Sequence, residues 1–134
     1  MALRFLLDSD ICIHAMQRRP PQLLRRLDRL APVSAMSVVV YGELCFGHAT
    51  SARRAEVATY LAALIEMIHV LPLPVEAAAE YAEVRASLER EGTPIGQNDV
   101  WIAAHALAAN LTLVTNNERE FRRVPNLKVE NWVR

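Results

Sequence analysis

Residues 3–10 read Leu3-Arg4-Phe5-Leu6-Leu7-Asp8-Ser9-Asp10, a largely apolar run that stops at once on two carboxylates. A run of strand length with so little polarity is what a strand covered on both faces carries. A short helix is expected next, from Asp10 to Met16, with Asp10 the better capping residue for the turn. Pro20 and Pro21 open another over Gln22 to Leu30, where Leu23, Leu24, Leu27 and Leu30 repeat at helical spacing. Val33 to Met36 reads as a short strand. Ser37 is placed to cap a helix running through Val38 to Phe46. Ser51 to Ile68 is a long helical pattern, His69 to Leu73 a strand, and Val75 to Glu91 a helix closed by Gly92. Asn98 is expected to cap a helix from Asp99 to Ala109. Leu111 to Thr115 is a strand ending in Asn116-Asn117. A short helix near Glu118 to Arg122 and a strand near Lys128 to Glu130 finish the chain. Strands alternating with helices predict an α/β layer fold with a mostly parallel sheet. Ligands of such sheets sit beyond the carboxyl ends of the strands, which is where Asp8 and Thr115–Asn117 fall.

A chain of 134 residues with 52% apolar and 22% charged residues can bury a core without staples, and it is not disordered. Its 15 basic and 15 acidic residues cancel, so no polyelectrolyte character points to a partner. The sign is uneven: residues 1–54 hold 8 bases and 4 acids, residues 55–134 hold 7 and 11. All but Lys128 of the bases are arginine, whose planar fork suits phosphate. Cys12 and Cys45 have no metal-ligand spacing and read as buried thiols of a reduced compartment. No secretory or membrane segment is visible, so a cytoplasmic location is expected.

Acids standing without bases are the most informative feature. Glu43 is the one charged residue from Leu30 to Ala52, and Asp99 the one from Gly92 to Asn117. Asp8 and Asp10 are the charged residues from Phe5 to Gln17. The helical neighbours of Glu43 are Val39, Val40, Phe46 and Gly47, so it has no local ion-pair partner. Its bland reading is a side chain in solvent or one meeting a distant arginine. Asp99 can be explained as a first-turn acid answering the helix dipole. Asp8 can be a cap, although Asp10 suits that job better. Glu120, among Glu118, Arg119, Arg122 and Arg123, can be an exposed ion pair. Such acids converging at one sheet edge would repel one another unless a cation joined them. Carboxylate oxygens suit Mg²⁺ or Mn²⁺, ions that orient phosphates and acidify water. That is the chemistry of phosphodiester hydrolysis. The scattered histidines His14, His48, His69 and His105 form no ligand pair and read as packing or surface residues.

Four segments stand in one order: Leu6-Leu7-Asp8-Ser9-Asp10-Ile11, Gly42-Glu43-Leu44, Gly96-Gln97-Asn98-Asp99-Val100-Trp101, and Val114-Thr115-Asn116-Asn117-Glu118-Arg119-Glu120-Phe121 with Val129-Glu130-Asn131-Trp132 after it. In this the chain resembles the PIN-domain proteins, and among them the VapC toxins of bacterial type II toxin–antitoxin systems. The resemblance implies a PIN-like fold over residues 1–134, with a central, mostly parallel sheet of about four or five strands flanked by helices. It implies an Mg²⁺- or Mn²⁺-dependent endoribonuclease in which metal-activated water attacks phosphorus in line, leaving 5′-phosphate and 3′-hydroxyl ends. Asp8, Glu43, Asp99 and Glu120 are its implied catalytic acids. Asp8, Asp99 and Glu43 are the implied metal ligands, and Thr115 and Asn117 orient the edge. The similarity extends to toxins that cut initiator tRNA in the anticodon loop. It implies a homodimer, a VapB-type antitoxin covering the site, and contact with operator DNA only through that antitoxin. Ser9-Asp10 replaces the commoner Thr-Asn, and Asn117 stands where many PIN domains have Asp. Two other readings remain open: a haloacid-dehalogenase-like phosphatase using Asp8 and Asp10, and an inactive PIN-like binding module.

Overall fold

Phe5, Leu6 and Leu7 are buried together, which leaves the central strand no polar face and requires cover on both sides. A computed structural model describes residues 2–134. Its strands are β1 (Phe5–Leu7), β2 (Ser34–Ser37), β3 (His69–Leu71), β4 (Thr112–Val114) and β5 (Val129–Glu130). Its helices are α1 (Ser9–Met16), α2 (Pro21–Leu30), α3 (Val38–Ala49), α4 (Arg54–Met67), α5 (Ala77–Arg90), α6 (Gln97–Ala108) and α7 (Glu118–Phe121). The strands form one sheet in the order β3-β2-β1-β4-β5, and every neighbouring pair is parallel. The sheet is thus wholly parallel where the alternation pattern required only mostly parallel pairing.

The order places a switch point at the middle of the sheet. After β1 the chain leaves through α1 and α2 toward β2; after β4 it leaves the other way, toward β5. Loops diverging from adjacent strands open a crevice at their carboxyl ends. β1 and β4 pair as Phe5↔Thr112, Leu6↔Leu113 and Leu7↔Val114, so Asp8 and Thr115 follow the ladder side by side. The Asp8 N–H still donates to Val114 O at 2.9 Å, and Thr115 N–H to Glu130 O at 2.9 Å. Backbone pairing therefore runs right to the crevice and fixes its floor.

Beneath it, Leu6, Leu7, Ala35, Met36, Leu113 and Val114 of the sheet are sealed by Ile11, Cys12, Val40, Ile102 and Ala103 of the helices. Trp132 is completely buried, edge-on to Phe5 with ring centres 4.9 Å apart. Trp101 is only half-buried and stacks on Tyr81 at 3.9 Å between α5 and α6. Gly92 takes φ +72° after α5, the left-handed stop that the sequence places there. Cys12 is buried and Cys45 only partly so. No helix among the described residues is long and apolar enough to cross a membrane.

Two caps differ from expectation. Strand β1 ends at Leu7 and α1 begins at Ser9, so no turn separates them, and Asp8 rather than Asp10 is the cap. α6 starts at Gln97 with Gly96 at its cap and no side-chain capping bond, so Asn98 lies inside the first turn. The amides of that turn stay unclaimed by any cap next to Asp99.

Candidate active site

Asp8 is the anchor of the crevice. It is 4% exposed, and both of its oxygens are engaged. Oδ1 accepts the Ser9 N–H at 2.8 Å, and Oδ2 accepts the Thr115 hydroxyl at 2.8 Å. Burial outweighs these bonds and, with the neighbouring charge of Asp10, pushes its carboxyl up from 3.8 to about 7. The fold therefore holds a carboxyl that an added positive charge would drive to ionise.

Asp10, in the first turn of α1, faces the same crevice. Its Oδ2 accepts the backbone N–H of Asn116 at 3.1 Å, while its Oδ1 is buried with no hydrogen-bond partner among the described residues. Burial raises its pKa. The capping role that the sequence suggests for it belongs to Asp8, and Asp10 is instead a fifth acid of the site.

Ser37 caps α3 as expected, accepting the Val39 N–H at 3.2 Å, and so starts the helix that carries Glu43. Glu43 is half-buried, and its Oε1 has no partner among the described residues. Neither bland reading of Glu43 fits, because this oxygen meets neither solvent nor arginine. Asp99, in the first turn of α6, is pushed up from 3.8 to about 6, first by burial and then by the charges of Glu120, Glu43 and Asp10. One residue thus senses acids from α7, α3 and α1. Glu120 does not pair with arginine: Arg122 goes to Glu118 at 2.9 Å, and Glu120 Oε2 accepts Asn117 Nδ2 at 2.6 Å.

Thr115 is completely buried, and its oxygen links three segments. It donates to Asp8 and accepts the Asn117 N–H at 2.9 Å, so it sets both the β1 end and the β4–α7 turn. Thr115→Val keeps the shape and strands both partners. Because the lost bond favours the Asp8 carboxylate, the acid limb of any pH–activity profile is expected to move upward. Activity at pH 7 should fall by about tenfold, in line with roughly 1–3 kcal/mol for the unmade bonds. An unshifted profile would show that Thr115 does not tune Asp8.

His105 reads from sequence as a packing residue, and it does more. It is buried on α6, with Nδ1 2.8 Å from Ser37 Oγ, tying the helix of Asp99 to the cap of the helix of Glu43. Burial lowers its pKa and so favours the uncharged ring. Its partner is 68 residues away, and no local pattern marks the pair.

Among the described residues, no three His, Cys, Asp or Glu side chains lie close enough together to hold an ion as they stand. Uncompensated carboxyl groups repel and favour spread rotamers. The donor set nonetheless fits a hard divalent cation: all carboxylate oxygens, two of them buried and unpartnered, and two acids held near neutrality by burial and crowding. Beside Glu43 a groove of ≈ 460 Å³ runs outward past Ile13, Leu44, Tyr60, Arg18 and Arg53.

Residues 5–127 match the family model described as PIN domain. The chain is 37% identical to ribonuclease VapC2 of Rickettsia felis over 130 residues, which cover 96% of this chain and 97% of that one. It is 33% identical to the tRNA(fMet)-specific endonuclease VapC of Salmonella typhimurium, covering 97% and 98%. Its fold matches a chain of the crystal structure of VapBC2 from Rickettsia felis, bound to a DNA fragment from their promoter. That match has a TM-score of 0.91, at 36% identity, over 97% of this chain and 99% of that chain.

Proposed function

This chain belongs to the PIN-domain family, among its VapC ribonucleases, and from that premise we propose that it is the toxin of a type II toxin–antitoxin pair, a metal-dependent endoribonuclease working as one domain over residues 1–134. The observation that carries the metal-site reading is the crevice itself. The charges of Glu120, Glu43 and Asp10 add to burial in raising the pKa of Asp99, and that of Asp10 does the same at Asp8. Buried oxygens of Asp10 and Glu43 lack any partner among the described residues. Asp8, Asp99 and Glu43 would hold Mg²⁺, or Mn²⁺ in its place. When bound there, the ion supplies Lewis acidity to a phosphate oxygen and makes water a better nucleophile near neutral pH.

The chain's own groups do the rest. Ser9 N–H and Thr115 Oγ1 hold Asp8 in one rotamer, so its remaining lone pairs have a fixed direction. The unpartnered oxygen of Glu43 can accept a proton from the attacking water. Asn117 holds Glu120 in reach of Asp99. Arg18 and Arg53 on the rim of the groove would grip the RNA backbone at neighbouring phosphates.

The substrate proposed is tRNA, with the initiator tRNA anticodon loop as the first target to test, since a relative of 33% identity carries that specificity in its name. A VapB-type antitoxin is the proposed inhibitor, operator DNA is reached through that antitoxin, and the working unit is a homodimer in the cytoplasm. Neither the phosphatase nor the inactive-module reading is favoured: the relatives are ribonucleases, and the one lysine, Lys128, is an exposed residue preceding β5.

The test is cleavage of purified tRNA by the isolated chain. Cutting with Mg²⁺ or Mn²⁺ that leaves 5′-phosphate ends, and that stops in excess chelator, is the expected result. Undiminished cutting in chelator, or 2′,3′-cyclic phosphate ends, would replace the metal mechanism by one using the RNA's own hydroxyl.

A further inference from the structure

The turn between β4 and α7, residues 115–118, carries much of the site. The Asn116 N–H holds Asp10 at 3.1 Å, Thr115 holds Asp8 at 2.8 Å, and Asn117 holds Glu120 at 2.6 Å. Yet Asn116 and Asn117 are exposed, and packing does not hold them. Thr115 is buried and paired to β5, but the exposed Asn116 and Asn117, which place Asp10 and Glu120, need a tie.

That tie comes from the residue after β5. Asn131 spends both amide hydrogens on the turn: Nδ2 donates to Asn116 Oδ1 at 3.1 Å and to Glu118 Oε1 at 2.8 Å. Its Oδ1 accepts the Val133 N–H at 2.9 Å. Among the described residues, the side chain of Asn116 bonds to Asn131 alone. The far end of the tie is rigid. Trp132 is buried against Phe5, and Val133 O accepts Gln22 Nε2 of α2 at 2.6 Å. Arg134 adds an ion pair to Glu118 at 3.6 Å.

We propose that Asn131 is a positioning residue of the acidic site, fixing the 116–118 turn to the buried tail so that Asp10 and Glu120 keep their places around the ion. Asn131 touches neither substrate nor ion, and it has this role only if the crevice is the metal-dependent nuclease site proposed above. Outer contacts of this kind typically change metal affinity by tenfold or more.

The experiment uses the full chain with Mn²⁺ as probe, read by calorimetric titration without RNA, and hydrogen exchange of the Asn116 and Asn117 amides without metal. Asn131→Ala is expected to weaken Mn²⁺ binding by about tenfold. Exchange at the two amides should accelerate on the order of tenfold, since the turn opens without global unfolding. Asn116→Ala, which leaves the Val133 bond, the Glu118 bond and the tail intact, should weaken Mn²⁺ binding by no more than Asn131→Ala does, and the double variant no further than Asn131→Ala alone. Equal Mn²⁺ affinity in wild type and Asn131→Ala would overturn the proposal even if thermal stability fell. Unchanged exchange, or additive losses in the double variant, would also overturn it. A wild-type chain that binds no Mn²⁺ at all would instead sink the nuclease reading and take this role with it.

Discussion

Asp8→Asn is expected to cleave RNA about a thousandfold more slowly than the wild-type chain, the several kcal/mol that a lost metal ligand is worth. In chelator at pH 8 the same variant is expected to melt at a higher temperature. The stability gain follows from the raised carboxyl. In the unfolded chain Asp8 ionises near 3.8, but in the fold it keeps its proton to about 7. Between those values the folded state binds more protons, so the metal-free fold loses stability as pH rises from about 4 to 7 and stays low above. The ceiling for that loss is about 4 kcal/mol, and shared relaxation of the crevice makes roughly 1–2 kcal/mol the figure to expect. Asparagine removes the charge and keeps the bonds. Its oxygen can accept the Ser9 N–H, and its amide can donate to Thr115 Oγ1, whose hydrogen then turns to Asp10 Oδ2, 3.5 Å away. Melting at pH 5 and pH 8 in chelator checks it. A variant less stable than wild type at pH 8 would mean that the Asp8 charge is balanced within the protein, with no need of an ion.

How far the amino-acid sequence alone reveals this site depends on how far apart the partners lie along the chain. The β1 end is legible because an apolar strand closing on acid is a local pattern, and Asp8 does lie at the carboxyl end beside β4. Glu43 and Asp99 are legible because neither has a cation at helical spacing, and among the described residues neither forms an ion pair with a distant one. Asp10 misleads because its bonds are to Thr115 and Asn116, 105 and 106 residues on. The local rule that makes it a cap fails because β1 runs into α1 with one residue between them. The Asn98 cap fails for a related reason. A side chain that can cap does so only if the helix starts after it, and α6 begins at Gln97. The His105–Ser37 and Asn131–Asn116 pairings cannot be read from local sequence, since each is a single side-chain bond between separate elements.

The divalent ion should stabilise the wild-type fold strongly at pH 8 and hardly at all at pH 5.5. Mn²⁺ at a hundred times its dissociation constant contributes about 2.7 kcal/mol to a folded state that alone binds it. For a chain of this size that is a rise of about 8 °C in melting temperature. At pH 8, Asp8 and Asp99, with values of about 7 and about 6, are largely ionised and ready to bind. At pH 5.5 the ion must first displace protons. The penalty is about thirtyfold at Asp8 and about fourfold at Asp99, together roughly a hundredfold in affinity. The same Mn²⁺ concentration then only matches the apparent dissociation constant, contributing about 0.4 kcal/mol, or about 1 °C. Asp99→Asn should shrink the shift at pH 8, because it removes both a donor and a charge that the ion relieves. Matched melts at the two pH values decide the point: equal shifts would place the ion on groups that do not titrate between pH 5.5 and 8, which excludes the Asp8–Asp99 crevice as its seat.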